Sequence, residues 1–141
     1  MDKQGLKDIK IYTDGGARGN PGEAAVGVVV MEDGKVVKKI KKTIGITTNN
    51  TAEYQAFITS LDFLKKYDLN QVKTVRWFLD SKLVVEQLNR RWRIKKPELK
   101  QLALDVWLRL EQLDINYEIS HIPREKNTLA DDLVNQALDS L

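Results

Sequence analysis

Apolar positions recur along this chain in two rhythms, and their order predicts its elements. Ile9-Lys10-Ile11-Tyr12-Thr13 is a short β-type run that ends on Asp14. Val26 to Met31 is almost wholly apolar and β-branched, as in a strand covered on both faces. Glu32-Asp33-Gly34 reads as a hairpin turn, and Lys35 to Thr43 then resumes as a strand. Lys35, Lys38, Lys39, Lys41 and Lys42 on that strand suit a sheet edge, where charge discourages pairing with another molecule; the other reading is a stripe that contacts phosphates. Past the polar break Thr47-Thr48-Asn49-Asn50, the residues Tyr54, Phe57, Ile58, Leu61 and Leu64 take up helical spacing as far as Asp68-Leu69-Asn70. Val72 to Leu79 is the next strand, with Val75, Trp77 and Leu79 on one face and Arg76, Phe78 and Asp80 on the other.

The second half is mostly helical. One helix runs from Lys82 to about Arg90, and Pro97 opens another. The latter carries the core-facing stripe Leu99, Leu102, Ala103, Val106, Leu110 and Leu113, which Trp107 extends. Ile115 to His121 alternates as a strand with Ile115, Tyr117, Ile119 and His121 on one side. Ile122 to Lys126 is a loop, and Asn127 or Thr128 caps a final helix with Leu129, Ala130, Leu133, Val134 and Ala137 on its apolar face. The order β-β-β-α-β-α-α-β-α is a hairpin meander followed by alternating units. It predicts an α/β fold with a mixed sheet and helices packed on its faces. With 141 residues and no linker or repeat, a single domain spanning 1–141 is expected.

Composition narrows the chemistry. Hydrophobic residues make up 42% of the chain, enough for a core, yet no run nears the roughly 18 apolar residues of a membrane span. The first ten residues are charged and lack an apolar stretch, so neither a secretory signal nor a membrane partner is expected, and a cytoplasmic place is. Cysteine is absent, which removes disulfides, thiol catalysis and thiolate metal sites and fits a reducing compartment. With one histidine, a multi-His zinc site is excluded as well. A bound metal must be held by oxygen, which points to Mg²⁺ or Mn²⁺. The net charge of +3 and a pI near 9.0 lean mildly towards a polyanionic partner.

Four acids stand at element boundaries: Asp14 at the end of the first strand, Glu53 in the first turn of the first helix, Asp80 at the end of the fourth strand and Asp131 near the start of the last helix. Each has an ordinary local duty available. Asp14 can cap a turn, Glu53 can close a capping box with Asn50, Asp80 can be an N-cap, and Asp131 can serve as a first-turn acid. Gly15 and Gly16 leave bare backbone beside Asp14 for a phosphate or a metal, and Asn20-Pro21-Gly22 closes a turn with proline second and glycine third. If the first and fourth strands are parallel neighbours, Asp14 and Asp80 emerge at one carboxyl edge, where open α/β sheets bind ligands. Crowded carboxylates repel unless a divalent cation neutralises them. Two such ions about 3.5–4 Å apart can clamp the attacking and leaving oxygens of an in-line displacement at phosphorus.

These residues carry a resemblance. Asp14-Gly15-Gly16-Ala17-Arg18-Gly19-Asn20-Pro21-Gly22, Thr48-Asn49-Asn50-Thr51-Ala52-Glu53, Asp80-Ser81, and His121-Ile122-Pro123-Arg124-Glu125-Lys126-Asn127 leading into Ala130-Asp131-Asp132-Leu133 resemble ribonuclease HI, in order, from about Ile9 to Ala137. The resemblance implies a five-stranded sheet in spatial order 3-2-1-4-5 and metal-dependent cleavage of the RNA strand of RNA/DNA hybrids, leaving 5′-phosphate and 3′-hydroxyl ends. It implies two Mg²⁺ ions, with Mn²⁺ a possible substitute, held by Asp14, Glu53, Asp80 and Asp131, with Asp132 a rival for the last place. It implies nucleic-acid contacts from Gly15, Asn20, Thr48, Asn49 and Asn50. The chain departs from bacterial members in having only Arg90 to Lys96 where an extended basic protrusion often stands. Arg91, Trp92 and Lys95 are the candidates for contact there, against a solvated basic turn. His121 and Arg124 are equal candidates for assisting product or proton release, and a plain sheet residue is the third reading of His121. A monomer is expected. The alternative function is a non-catalytic nucleic-acid-binding module of the same fold; a phosphate loop of the actin and sugar-kinase kind needs two such domains, and the chain is too short for both.

Overall fold

The computed structural model of the protein describes residues 6–141. Strands β1 (Lys7–Gly19), β2 (Gly22–Glu32) and β3 (Lys35–Thr47) form the antiparallel meander. Strand β4 (Val72–Leu79) lies parallel to β1, and β5 (Tyr117–His121) lies parallel to β4, so the five-stranded sheet has the order 3-2-1-4-5. The lysine-rich β3 is an outer strand, as its charge suggests.

Helices cover both faces. Helices α1 (Asn49–Lys65), α2 (Lys82–Leu88) and α3 (Pro97–Leu113) share the main core with Ile9, Ile11, Val28 and Val30 of the sheet. Within it Trp77 stacks on Phe57 at 4.7 Å and donates its indole N–H to Ser60 Oγ at 2.8 Å. That bond satisfies the one polar atom of a fully buried ring. On the opposite face α4 (Thr128–Asp139) buries Ala130, Leu133, Val134 and Ala137 against Ala25 and Val29 of β2. Trp107 is only half-buried; it donates to Leu88 O at 3.0 Å, and the Arg90 guanidinium lies 4.0 Å over its ring.

Several boundaries differ from the sequence reading. Strand β1 does not end at Asp14 but continues to Gly19, because β2 still pairs with it as far as Gly19↔Gly22. What ends near Asp14 is the other neighbour: the last β1–β4 pair is Thr13↔Leu79. In the following turn Pro21 is third, not second, after a cis Asn20–Pro21 bond, and the positive φ belongs to Gly19. Strand β3 runs four residues past Thr43, and β5 begins two residues after Ile115. On β5 only Ile119 is buried, because the strand forms the other sheet edge; Tyr117 and His121 are exposed. Leu129 is likewise exposed, and Leu138 takes its place on the buried face of α4.

Two glycines decide how near the helices come. A Cβ on Gly15 would lie 2.1 Å from Ala52 O of α1. A Cβ on Gly27 would lie 2.4 Å from Ala130 O and 2.9 Å from Leu133 Cβ of α4. Real contacts never close that far, so any side chain at either place forces a helix outward. Gly27→Ala is therefore expected to destabilise the protein by about 1–3 kcal/mol, the usual range for overpacking. Denaturant unfolding measures it, and an unchanged midpoint would show that α4 can retreat freely.

Candidate active site

The end of the β1–β4 ladder is where the acids gather. Asp14 follows the last β1–β4 pair, and Asp80 follows the last residue of β4. Glu53 arrives from the first turns of α1, over the bare Cα of Gly15. Asp14, Glu53 and Asp80 each bring a carboxylate oxygen within 4.8 Å of the others. Asp131, in the first turn of α4, lines the same cleft of about 480 Å³, whereas Asp132 is exposed and outside it.

The cap duties open to Glu53 and Asp80 are taken by other residues, while Asp131 keeps its place as a first-turn acid. Thr48, not Asn50, caps α1, its hydroxyl accepting from Thr51 N at 3.2 Å. Ser81, not Asp80, caps α2, accepting from Val84 N at 3.3 Å. Glu53 is left to face Asp14, and its Oε1 accepts from Gly15 N at 3.3 Å. Gly15 thus gives its N–H to Glu53 and lies under α1, while Gly15 and Gly16 still line the acid cleft.

Electrostatics marks the cluster as unfinished. Asp14 is 5% exposed and Glu53 7%, and among the described residues no cation pairs with any of the four acids. Burial pushes the Asp14 pKa up to about 7; a hydrogen bond with Glu53 works against that rise, while the Asp80 and Asp131 carboxyls add to it. Glu53 is also raised, by burial first and then by the charges of Asp14 and Asp80. Its buried Oε2 has no hydrogen-bond partner. Orphaned carboxylate oxygen, several acids and no counter-charge form a donor set that fits a hard divalent cation.

The remaining candidates divide. Asn20 Oδ1 accepts from Asn49 N at 3.1 Å, and Asn49 Oδ1 accepts from Ala17 N at 2.8 Å, so this pair ties the β1–β2 turn to the start of α1. Asn50 lines both the acid cleft and an adjoining groove, which Arg91, Trp92 and Lys95 also line. Arg91 holds Glu86 through Nε and Nη2, at 2.7 and 2.9 Å, and Lys82 sits 5.9 Å over the half-exposed Trp92 ring. Arg124, in the short 3₁₀ turn Arg124–Lys126, lines the acid cleft. His121 does not; it ends β5 opposite Leu79.

One residue of the site escaped the sequence reading. Asn127 precedes α4 but makes no side-chain cap. Its amide instead donates to Thr13 O at 2.9 Å and reaches Asp80 Oδ2 at 3.4 Å. An Asn before a helix reads as a cap, and only the distant strand ends reveal its other use.

Raised pKa values make stability depend on pH, and the sign follows from proton counts. Between the unperturbed value of 3.8 and about 7, folded Asp14 keeps a proton that the unfolded chain has lost. The folded state binds more protons, so stability falls as pH rises through that window. Metal-free thermal melts from pH 4 to 8 should show this fall, and Asp14→Asn should flatten it while leaving the protein at least as stable at pH 8. Equal pH slopes for both proteins would count against a crowded, desolvated Asp14. In the wild type, millimolar Mg²⁺ should raise the melting temperature at pH 8 by binding the folded state.

Known proteins resemble the chain in sequence and in fold. The family described as reverse transcriptase-like matches residues 12–137. A bifunctional protein of Mycobacterium tuberculosis is 42% identical over 135 residues; the match covers 94% of this chain but 36% of that protein, so the chain spans about a third of its length. A ribonuclease H of Ruthia magnifica is 32% identical over 151 residues, covering 96% of this chain and 99% of that one. Among solved structures, an RNase H1 isolated from compost, designated LC11 and crystallised with an RNA/DNA hybrid, is 42% identical with a TM-score of 0.89, covering 94% of this chain and 97% of that one.

Proposed function

The chain belongs to the ribonuclease H family, and from that premise we propose that it hydrolyses the RNA strand of RNA/DNA hybrids, leaving 5′-phosphate and 3′-hydroxyl ends. The observation that carries the proposal is the trio Asp14, Glu53 and Asp80, whose carboxylates converge within 4.8 Å with no protein cation to balance them. An acid cluster kept at that electrostatic cost serves binding rather than folding.

In this reading Asp14, Glu53, Asp80 and Asp131 hold two Mg²⁺ ions, with Mn²⁺ able to substitute. Bound there, the ions would supply Lewis-acid activation of water and of the scissile phosphate. The chain's own groups do the rest. Burial of Asp14 and Glu53 keeps bulk water from screening their charge. Asn50, at the junction of cleft and groove, offers an amide that can donate to or accept from a 2′-hydroxyl, the group that separates RNA from DNA. Asn20, Thr48 and Asn49 hold their segment in shape and present backbone to the nucleic acid. In the groove, Trp92 offers a stacking face and Lys95 a charge, while Arg91 is partly neutralised by Glu86. Of the two candidates for assisting product or proton release, the lining of the cleft favours Arg124 over His121.

The enzyme is proposed to act as a monomer in the cytoplasm, which a chain without cysteine suits. Among the described residues, no helix is long and apolar enough to cross a membrane. A non-catalytic module is the lesser reading, because such a module has no use for four acids around one cleft.

Cleavage of a strand-labelled RNA/DNA duplex, beside RNA/RNA and DNA/DNA duplexes, tests the proposal. Cutting of the RNA strand in Mg²⁺ or Mn²⁺, absent in EDTA and lowered about 10²- to 10³-fold by Asp80→Asn, is expected, since loss of a transition-state stabiliser costs rates of that order. Binding of the hybrid without cutting in either metal would turn the assignment to the non-catalytic module.

A further inference from the structure

We propose that Asn127 is a positioning residue: its side-chain amide fixes the Asp80 carboxylate in the orientation that faces Asp14 and Glu53. Asn127 is 1% exposed, and its links reach every part of the acid cleft except α1. Nδ2 donates to Thr13 O at 2.9 Å, the carbonyl just before Asp14, and stands 3.4 Å from Asp80 Oδ2. Its backbone N–H donates to Arg124 O at 2.9 Å, closing the 3₁₀ turn. Its carbonyl accepts from Asp131 N at 3.1 Å, the first bond of α4. One residue thus joins the segments that carry Asp14, Asp80, Arg124 and Asp131.

The chemistry fixes which way the amide points. Thr13 O and Asp80 Oδ2 are both acceptors, so the reversed amide would set three acceptors against one another. With Nδ2 so placed, Oδ1 is buried without a partner. A buried orphan of that kind destabilises the fold. Leucine has nearly the same shape and would remove that orphan while taking the amide donor from Thr13 O, so on stability the two changes oppose each other. What leucine lacks is the donor that holds Oδ2 of Asp80 and leaves Oδ1 to turn towards the other acids.

The test is Asn127→Leu, which keeps the shape and removes both the donor and the orphan. It is read three ways. Mn²⁺ binding to the protein without nucleic acid, followed by water-proton relaxation, should weaken roughly 10- to 100-fold, the usual effect of losing a partner that orients a ligand. With hybrid at saturating Mg²⁺, kcat should fall while KM changes by less than about threefold, since a positioning loss acts on the reacting geometry and not on general binding. The melting temperature should stay within a few degrees of the wild type. A folded variant whose Mn²⁺ affinity and kcat stay within about twofold of wild type, or whose KM alone rises, would overturn the proposal. If the variant does not fold, the side-chain amide NMR signals of Asn127 decide. They should move in Asp80→Ala and stay in place in Asp62→Ala, and no movement in Asp80→Ala would overturn it. The kinetic reading rests on the proposed function, whereas the Mn²⁺ and NMR readings do not. Should the wild type cut no hybrid in any metal, the function fails and those two still judge Asn127.

Discussion

The closeness of two helices to the sheet governs this protein. Helix α1 sits against Gly15 and α4 against Gly27, at distances where one methyl group would strike main chain. The two glycines lie on adjacent strands one position apart, since Asp14 pairs with Gly27 and Gly15 with Val26. The helices therefore press on the same spot from opposite faces. Both reach the sheet with their N-terminal turns, and Glu53 and Asp131 stand within those turns. The acids converge because the backbones converge. Larger residues at 15 and 27 would push both helices outward and draw the cluster apart.

The chain then frees Glu53 and Asp80 from local work. Thr48 and Ser81 supply the N-caps that Asn50 and Asp80 could have supplied. Hydroxyl caps do that work without charge. Carboxylates at positions where a neutral side chain serves the helix are left over for other chemistry, and the burial of Asp14 and Glu53 shows that folding does not gain from them.

Long periodic elements were legible because periodicity is a property of many residues at once. The stripe on α3, the run of β2, and β4 from Val72 to Leu79 all stand where their patterns put them. The family motifs carried the strand order and the acids together. Less legible were features set by single contacts between distant segments. Whether β1 stops at Asp14 depends on how far β2 keeps pairing, which no local pattern records. On β5 the alternation gave the side, with Ile119 in the core and Tyr117 against Trp77, but not the depth of burial, which an edge strand lacks. Asn127 looked like a cap because the two acceptors that claim its amide come from Thr13 and Asp80, 114 and 47 residues away.

A last step concerns charge. The chain carries a formal net +3, yet hardly any of its positive charge meets the acids. Arg18 pairs with Asp139, Arg91 with Glu86, and Arg109 with Asp62 and Asp105. The lysines of β3 lie on the outer edge of the sheet. An arginine placed among Asp14, Glu53 and Asp80 would offset the burial, and the lesser repulsion from Asp80 and Asp131, that lift the Asp14 pKa to about 7. It would also occupy the position a divalent ion needs. The sequence leaves that position without a cation and tolerates a strained resting state, so the charge that completes the site must come from outside the chain. That requirement links stability to function: what makes the isolated fold weaker at neutral pH is what gives a metal ion a reason to bind.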